Sequence, residues 1–178
     1  MNTSEAVALI AEAVPRSARA WADIGAGDGT FTRALVRILG ADARVFAVDR
    51  DARALASLRR WASRERANVV LVEADFTQPL QLPEPLDGLL VANALHFVRD
   101  ADVVLGQLVQ LLRPIGRVVI VEYDRRAASR WVPYPISSSR LPELAAAAGL
   151  SGTIVTATRP SAYGGTLYVA AADRVNSR

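Results

Sequence analysis

Trp21-Ala22-Asp23-Ile24-Gly25-Ala26-Gly27-Asp28-Gly29-Thr30-Phe31 is the stretch whose reading decides the fold. An apolar run leads into it, three alternating glycines fill it, and an amphipathic segment leaves it. Glycine serves where the backbone takes positive φ or where a ligand must come close to the main chain. A glycine-rich turn between strand and helix also aims backbone N–H groups at whatever sits there. The turn therefore reads as a nucleotide-type cofactor site at the carboxyl end of the first strand of a doubly wound α/β sheet. The alternative is a glycine-rich connector that binds nothing.

Spacing narrows the cofactor. The dinucleotide fingerprint is G-x-G-x-x-G; Gly25 and Gly27 fit its start, but Thr30 stands at the third glycine and Gly29 comes one residue early. The strand also ends in an acid, Asp23, which disfavours a pyrophosphate and suits a ligand carrying positive charge. The run Asp-x-Gly-x-Gly-x-Gly from Asp23 to Gly29 resembles motif I of the class I S-adenosylmethionine (SAM)-dependent methyltransferases. The resemblance implies that Asp23, Gly25, Ala26 and Gly27 contact SAM.

Two further strand ends carry acids. Arg44–Asp49 is an apolar run ending in a carboxylate, as a buried parallel strand reads. Asp49, twenty residues beyond Gly29, can accept hydrogen bonds from both hydroxyls of an adenosine ribose. Dinucleotide enzymes use the same device, so Asp49 supports adenosine without choosing a family. Asp51 is the better candidate for capping the helix that follows over Asp51–Arg66. The resemblance extends the cofactor contacts to Arg50 and to the end of the third strand, Asn68–Phe76. There Asp75 would accept the adenine amino group and Phe76 would cover the base.

Leu86–Ala92 reads as the fourth strand, followed by Asn93-Ala94-Leu95-His96-Phe97-Val98-Arg99-Asp100. This loop resembles that of the small-molecule methyltransferase branch, with its histidine-aromatic pair and its acid opening the next helix. By that resemblance the loop supplies a backbone carbonyl to the methionine amino group and faces the transferable methyl, and Asn93 counts among the cofactor contacts. His96 is the one side chain with an unperturbed pKa near neutrality, hence the candidate general base, or an orienter of the acceptor; Glu122, Tyr123 and Asp124 are second candidates. Amino-methylating enzymes of adenine or glutamine amides typically carry Asn/Asp-Pro-Pro-aromatic here, and Asn93 is followed by Ala94-Leu95 instead. Cytosine C5 methylation needs a cysteine, and the chain has none.

The remaining segments fill in one domain over 1–178. Residues 1–18 hold a helix over Ser4–Val14, capped by Thr3 or Ser4 and ended by Pro15, and a lead-in. Helices are expected over Thr30–Leu39, Ala101–Leu112 and Leu141–Ala148, with Gly40 and Gly149 at C-terminal caps. Thr77–Pro85 is a tight proline-rich crossover. A turn at Pro114-Ile115-Gly116, where relatives usually have Pro-Gly-Gly, precedes the fifth strand at Arg117–Asp124. Gly152–Thr158 and Gly165–Ala172, joined through Arg159–Gly164, read as a closing strand pair. The resemblance implies a seven-stranded α/β sheet of order 3-2-1-4-5-7-6, mostly parallel with the last strand antiparallel, and helices on both faces. The loop 125–140 lies beyond the strand ends; Trp131 and Tyr134 in it, with Phe97 and Tyr123, are candidate walls of an acceptor pocket. A local cluster that merely docks the loop is the alternative.

Composition sets the outer bounds. In 178 residues the apolar fraction is 51% and the charged fraction 22%, an ordinary globular balance. All 21 basic residues are arginine, for a net charge of +3. Arg59, Arg60, Arg64 and Arg66 cluster on one helix and Arg125, Arg126 and Arg130 in one loop, but interspersed acids favour a solvated face over a nucleic-acid surface. Without cysteine and with a single histidine, no thiolate or histidine-rich metal site can form. No apolar run is long enough to span a membrane and no signal pattern opens the chain, so a cytoplasmic setting is expected. The expected activity is methyl transfer from SAM to a small molecule, with a homodimer available to cover a thinly lidded acceptor site. A non-catalytic SAM-binding subunit and an RNA methyltransferase are the alternatives.

Overall fold

The computed structural model describes residues 1–124, 127–161 and 164–175. Arg125 and Arg126 of the arginine cluster, Ala162 and Tyr163 of the last connector, and residues 176–178 lie outside the described residues.

Seven strands form one sheet of order β3-β2-β1-β4-β5-β7-β6, as the resemblance implied. They are β1 (Ala20–Ile24), β2 (Arg44–Asp49), β3 (Val69–Glu73), β4 (Leu86–Ala92), β5 (Leu112–Asp124), β6 (Leu150–Pro160) and β7 (Thr166–Arg174). The first five pair in parallel, β7 runs antiparallel to β5, and β6 closes the edge antiparallel to β7. The helices are α1 (Thr3–Ile10), α2 (Thr30–Leu39), α3 (Ala52–Glu65), α4 (Ala101–Val109) and α5 (Leu141–Ala147). Alternate residues of the central strands face opposite layers: Ile24, Phe46 and Val91 pack with Leu105 and Leu144, while Trp21, Val45 and Leu90 pack with Ile10 and Leu35. Burial on both faces is why β1, β2 and β4 read as continuous apolar runs.

The sequence placed several boundaries differently. The first helix begins at Thr3, capped by Asn2: Asn2 Oδ1 accepts from the Glu5 N–H at 2.9 Å, and Glu5 Oε2 accepts from the Asn2 N–H at 2.8 Å. This reciprocal box satisfies two orphan donors at once, more than Thr3 or Ser4 could offer alone. The helix ends at Ile10, where the Ala13 N–H reaches back three residues to Ile10. β3 covers Val69–Glu73, shorter than the expected Asn68–Phe76, and α4 stops at Val109, not Leu112. β5 begins at Leu112, before the expected turn, and the turn survives as an irregularity in the β4–β5 ladder. Within it the left-handed residue is Ile115, φ 60, and not Gly116. Gly116 is needed for a different reason: a Cβ there would lie 2.9 Å from Leu112 Cβ and 3.0 Å from the Arg113 carbonyl.

The loop after β5 is fastened to the strand ends. The Tyr134 N–H donates to the His96 carbonyl, the Tyr168 hydroxyl to the Ile136 carbonyl, and the Ser138 N–H and hydroxyl to Asp124. Among the described residues no helix is long and apolar enough to cross a membrane.

Candidate functional site

The glycine turn and the segments following β2, β3 and β4 meet at the carboxyl edge of the sheet around a cleft of about 400 Å³. Gly25, Asp49, Arg50, Asp75, Phe76, Asn93 and Phe97 all line it, which brings together most of the residues the sequence singled out. Gly25 has φ +73, and a Cβ on it would lie 2.7 Å from Ala94 Cβ. Both the conformation and the close approach of the β4 loop therefore demand glycine.

Four N–H groups of the glycine turn, which the sequence read as aimed at a ligand, are bonded within the protein instead. The N–H groups of Gly25 and Ala26 both donate to the Val48 carbonyl, at 2.9 and 3.0 Å. The Gly27 N–H donates to Asp49 Oδ2 at 2.7 Å, and the Gly29 N–H returns to the Ala26 carbonyl. The first three of these donors join the turn to β2, and the fourth closes the turn on itself. Ala26 itself is buried against Ala47 and Leu58.

Acceptors dominate what remains. Asp49 holds its carboxylate at the cleft with Oδ1 bonded to the Asp51 N–H, while Asp51 caps α3 through the Arg53 and Ala54 N–H groups. Asp75 Oδ1 accepts from the Thr77 N–H and hydroxyl; these bonds hold its carboxyl below the usual carboxylate range. The exposed Arg50 guanidinium approaches Asp75 across the rim at 4.0 Å. Asn93 sits in left-handed backbone, φ 52, with its N–H on the Val121 carbonyl and its Oδ1 buried without a partner.

Asp23 lies beneath the turn, 1% exposed, and is not among the residues lining the cleft. It accepts from the Thr32 hydroxyl at 2.6 Å, a partner the sequence reading missed. Burial raises its pKa from 3.8 to about 6 against the lowering effect of the Thr32 bonds, and the neighbouring Asp49 charge raises it further. Asp23 thus lies buried under the loop and behind the cleft lining.

His96 is buried, in a short 3₁₀ turn over Leu95–Phe97. Glu122, 0% exposed at the end of β5, receives it twice: the His96 N–H donates to Oε1 at 3.1 Å, and Nδ1 meets Oε2 at 2.6 Å. The sequence offered His96 and Glu122 as separate candidates; the β4–β5 pairing makes them one unit. The imidazole contacts the Phe97 ring at 4.4 Å between centroids and lies 6.0 Å from that of Tyr123.

A second pocket of about 280 Å³ opens on the other side of Asn93, which lines both cavities. Tyr123 lines it with Thr30, Phe31, Arg159 and Leu167, of which the sequence reading had named only Tyr123 and Asn93 as site residues. The other proposed aromatic walls stand apart. Trp131 is 71% exposed under the Arg130 guanidinium, and the Tyr134 ring faces Arg99; neither lines these two cavities.

A seven-stranded sheet with one antiparallel strand, carrying an adenosine-sized cleft lined by acceptors at its first turn, defines the class I methyltransferase architecture. The chain belongs to the family described as the methyltransferase domain, which matches residues 22–116. It is 31% identical over 113 residues to the ubiquinone/menaquinone biosynthesis C-methyltransferase of Saccharophagus degradans, a match covering 62% of this chain and 45% of that protein. The chain thus spans about half the length of the curated relative it matches. Among solved structures it resembles the Burkholderia thailandensis 1,6-didemethyltoxoflavin-N1-methyltransferase, bound there to its acceptor and S-adenosylhomocysteine. Identity is 26%, coverage 98% of this chain and 78% of the other, and the TM-score 0.77. The YcgJ protein of Bacillus subtilis shares the fold at 13% identity and TM-score 0.76, covering 98% of this chain and 100% of that one.

Proposed function

We propose that this chain is a SAM-dependent methyltransferase acting on a small-molecule acceptor. The observation that carries the reading is the polarity of the cleft: the Gly25, Ala26 and Gly27 amides are bonded to β2, and Asp49, Asp75 and Asn93 line the cavity, with the Arg50 guanidinium at its rim. Such a set of acceptors suits a ligand with an ammonium, a sulfonium and ribose hydroxyls. The residues fit SAM: Asp49 for the ribose, Asp75 and Phe76 for the adenine, the unpartnered Asn93 Oδ1 and the buried Asp23 charge for the cationic methionine end. SAM would supply a methyl on a sulfonium, so that a bond to the acceptor forms as the sulfur–carbon bond breaks and its electrons return to sulfur.

The chain's own contribution is alignment, water exclusion and, for an acceptor with a proton to lose, a base. The candidate is His96, whose Nδ1 meets Glu122; the pair is buried and lines neither cavity, so it would act from beneath the Asn93–Phe97 loop. The family match and the named activities of the relatives support the reaction class. A cytoplasmic setting and a homodimer that covers the acceptor side belong to the same proposal.

The test is a thermal-shift titration with S-adenosylhomocysteine beside NAD and NADP. At a hundredfold excess over its dissociation constant a ligand adds about 2.7 kcal/mol, or roughly 5–10 °C for a domain of this size. A rise with S-adenosylhomocysteine alone, abolished in Asp49→Ala and Asp75→Ala, is expected. A rise with a dinucleotide instead would sink the reading, and binding with no turnover on any acceptor would make the chain a cofactor-binding subunit.

A further inference from the structure

We propose that the pocket across Asn93 receives the acceptor, and that Arg159 selects a compact acceptor carrying a carboxylate. This rests on the methyltransferase reading and goes beyond it to the acceptor's chemistry. Asn93 is shared by the two cavities, so a molecule in the second pocket lies next to whatever occupies the methionine end of the first. Among the described residues lining that pocket, Arg159 carries the one formally charged side chain.

The guanidinium is held in place at one edge. Its Nη2 donates to Glu5 Oε1 at 2.9 Å, while Glu5 Oε2 is tied into the α1 cap by the Asn2 N–H. Glu5 therefore works as a fixed strut reaching from the first helix to the last strand pair. Arginine carries five N–H donors in a planar fork, and among the described residues Glu5 is its one hydrogen-bond partner. The remaining donors can take a carboxylate in the two-pronged geometry that arginine prefers. The same charge disfavours a cationic acceptor.

The rest of the pocket fits a small ring. Phe31 and Leu167 are largely buried walls and Tyr123 adds an aromatic surface. The volume of about 280 Å³ lies at the lower end of the roughly 300–1,000 Å³ of small-molecule sites, room for one or two rings.

The three positional isomers of hydroxybenzoate, each paired with its uncharged hydroxybenzamide, test this on the full chain saturated with S-adenosylhomocysteine. Each pair shares ring and hydroxyl and differs in the charge. At least one acid should bind ten-fold or more tightly than its amide by calorimetry. Arg159→Gln should remove that preference, while its melting point still rises with S-adenosylhomocysteine as in the wild type, which reports an intact fold and cofactor cleft. Equal binding of acids and amides, binding of neither, or an acid preference that persists in Arg159→Gln overturns the proposal. Failure of S-adenosylhomocysteine itself to raise the melting point, measured before any acceptor is added, overturns the methyltransferase reading instead.

Discussion

Replacing Asp23 by asparagine should make the empty protein more stable near neutral pH and a poorer binder of its cofactor. The carboxyl is 1% exposed, and burial raises its pKa from 3.8 to about 6. A proton held more tightly in the folded than in the unfolded state stabilises the fold below the unfolded pKa, and that stability is lost as pH rises through the folded pKa. The window therefore runs from 3.8 to about 6, and a shift of roughly two units corresponds to about 3 kcal/mol. Asparagine keeps an acceptor for the Thr32 hydroxyl and removes the buried charge. Its extra N–H donors lack a partner, which costs about 1 kcal/mol. The net gain at about pH 7 is then ~2 kcal/mol, or roughly 4–8 °C in melting temperature. At about pH 4 the wild-type carboxyl is itself neutral, and the order should reverse by about 1 kcal/mol. Calorimetric melts of both proteins from about pH 4 to pH 8 measure this directly. A variant less stable than wild type at neutral pH, or a difference that does not change with pH, would refute the argument that Asp23 is a strained buried charge. The proposed cost is in binding: without that charge under the loop, the affinity for S-adenosylhomocysteine should fall.

Gly25→Ala combines left-handed backbone, about 1–2 kcal/mol for an L residue, with a Cβ 2.7 Å from Ala94; it should lower the melting point and abolish the S-adenosylhomocysteine shift. Glu122→Gln leaves His96 Nδ1 without its carboxylate partner, so turnover should fall about 10²–10⁴-fold with cofactor affinity unchanged; a loss confined to KM would argue against a base held by Glu122. Ile115→Gly should raise stability by about 1 kcal/mol, because a β-branched residue at φ 60 is strained and this one is 73% exposed; an unchanged or lower melting point contradicts that strain. Gly88→Ala would press a methyl to within 2.3 Å of the buried Trp21 ring and should cost about 1–3 kcal/mol, read from denaturant midpoints.

Much of this protein is local chemistry and was legible in its sequence. Strands buried on both faces must be continuous apolar runs, so β1, β2 and β4 announced themselves. Glycine spacing with an acid at each of the first strand ends pointed to the carboxyl edge of the sheet, and Asp49, Asp75, Phe76 and Asn93 line one cleft there. What the sequence could not carry are partnerships across the chain. The N–H groups of Gly25, Ala26 and Gly27 looked free until β2 supplied the Val48 carbonyl and Asp49 as their acceptors. His96 and Glu122, 26 residues apart, become a pair because β4 and β5 are neighbours in the sheet. Arg159 carries no motif at all, and its partner Glu5 lies 154 residues earlier. Hydrophobic period and turn chemistry depend on neighbours a few residues away and so can be read along the chain. A hydrogen bond or an ion pair depends on where two side chains end up in space, and only the packed sheet decides that.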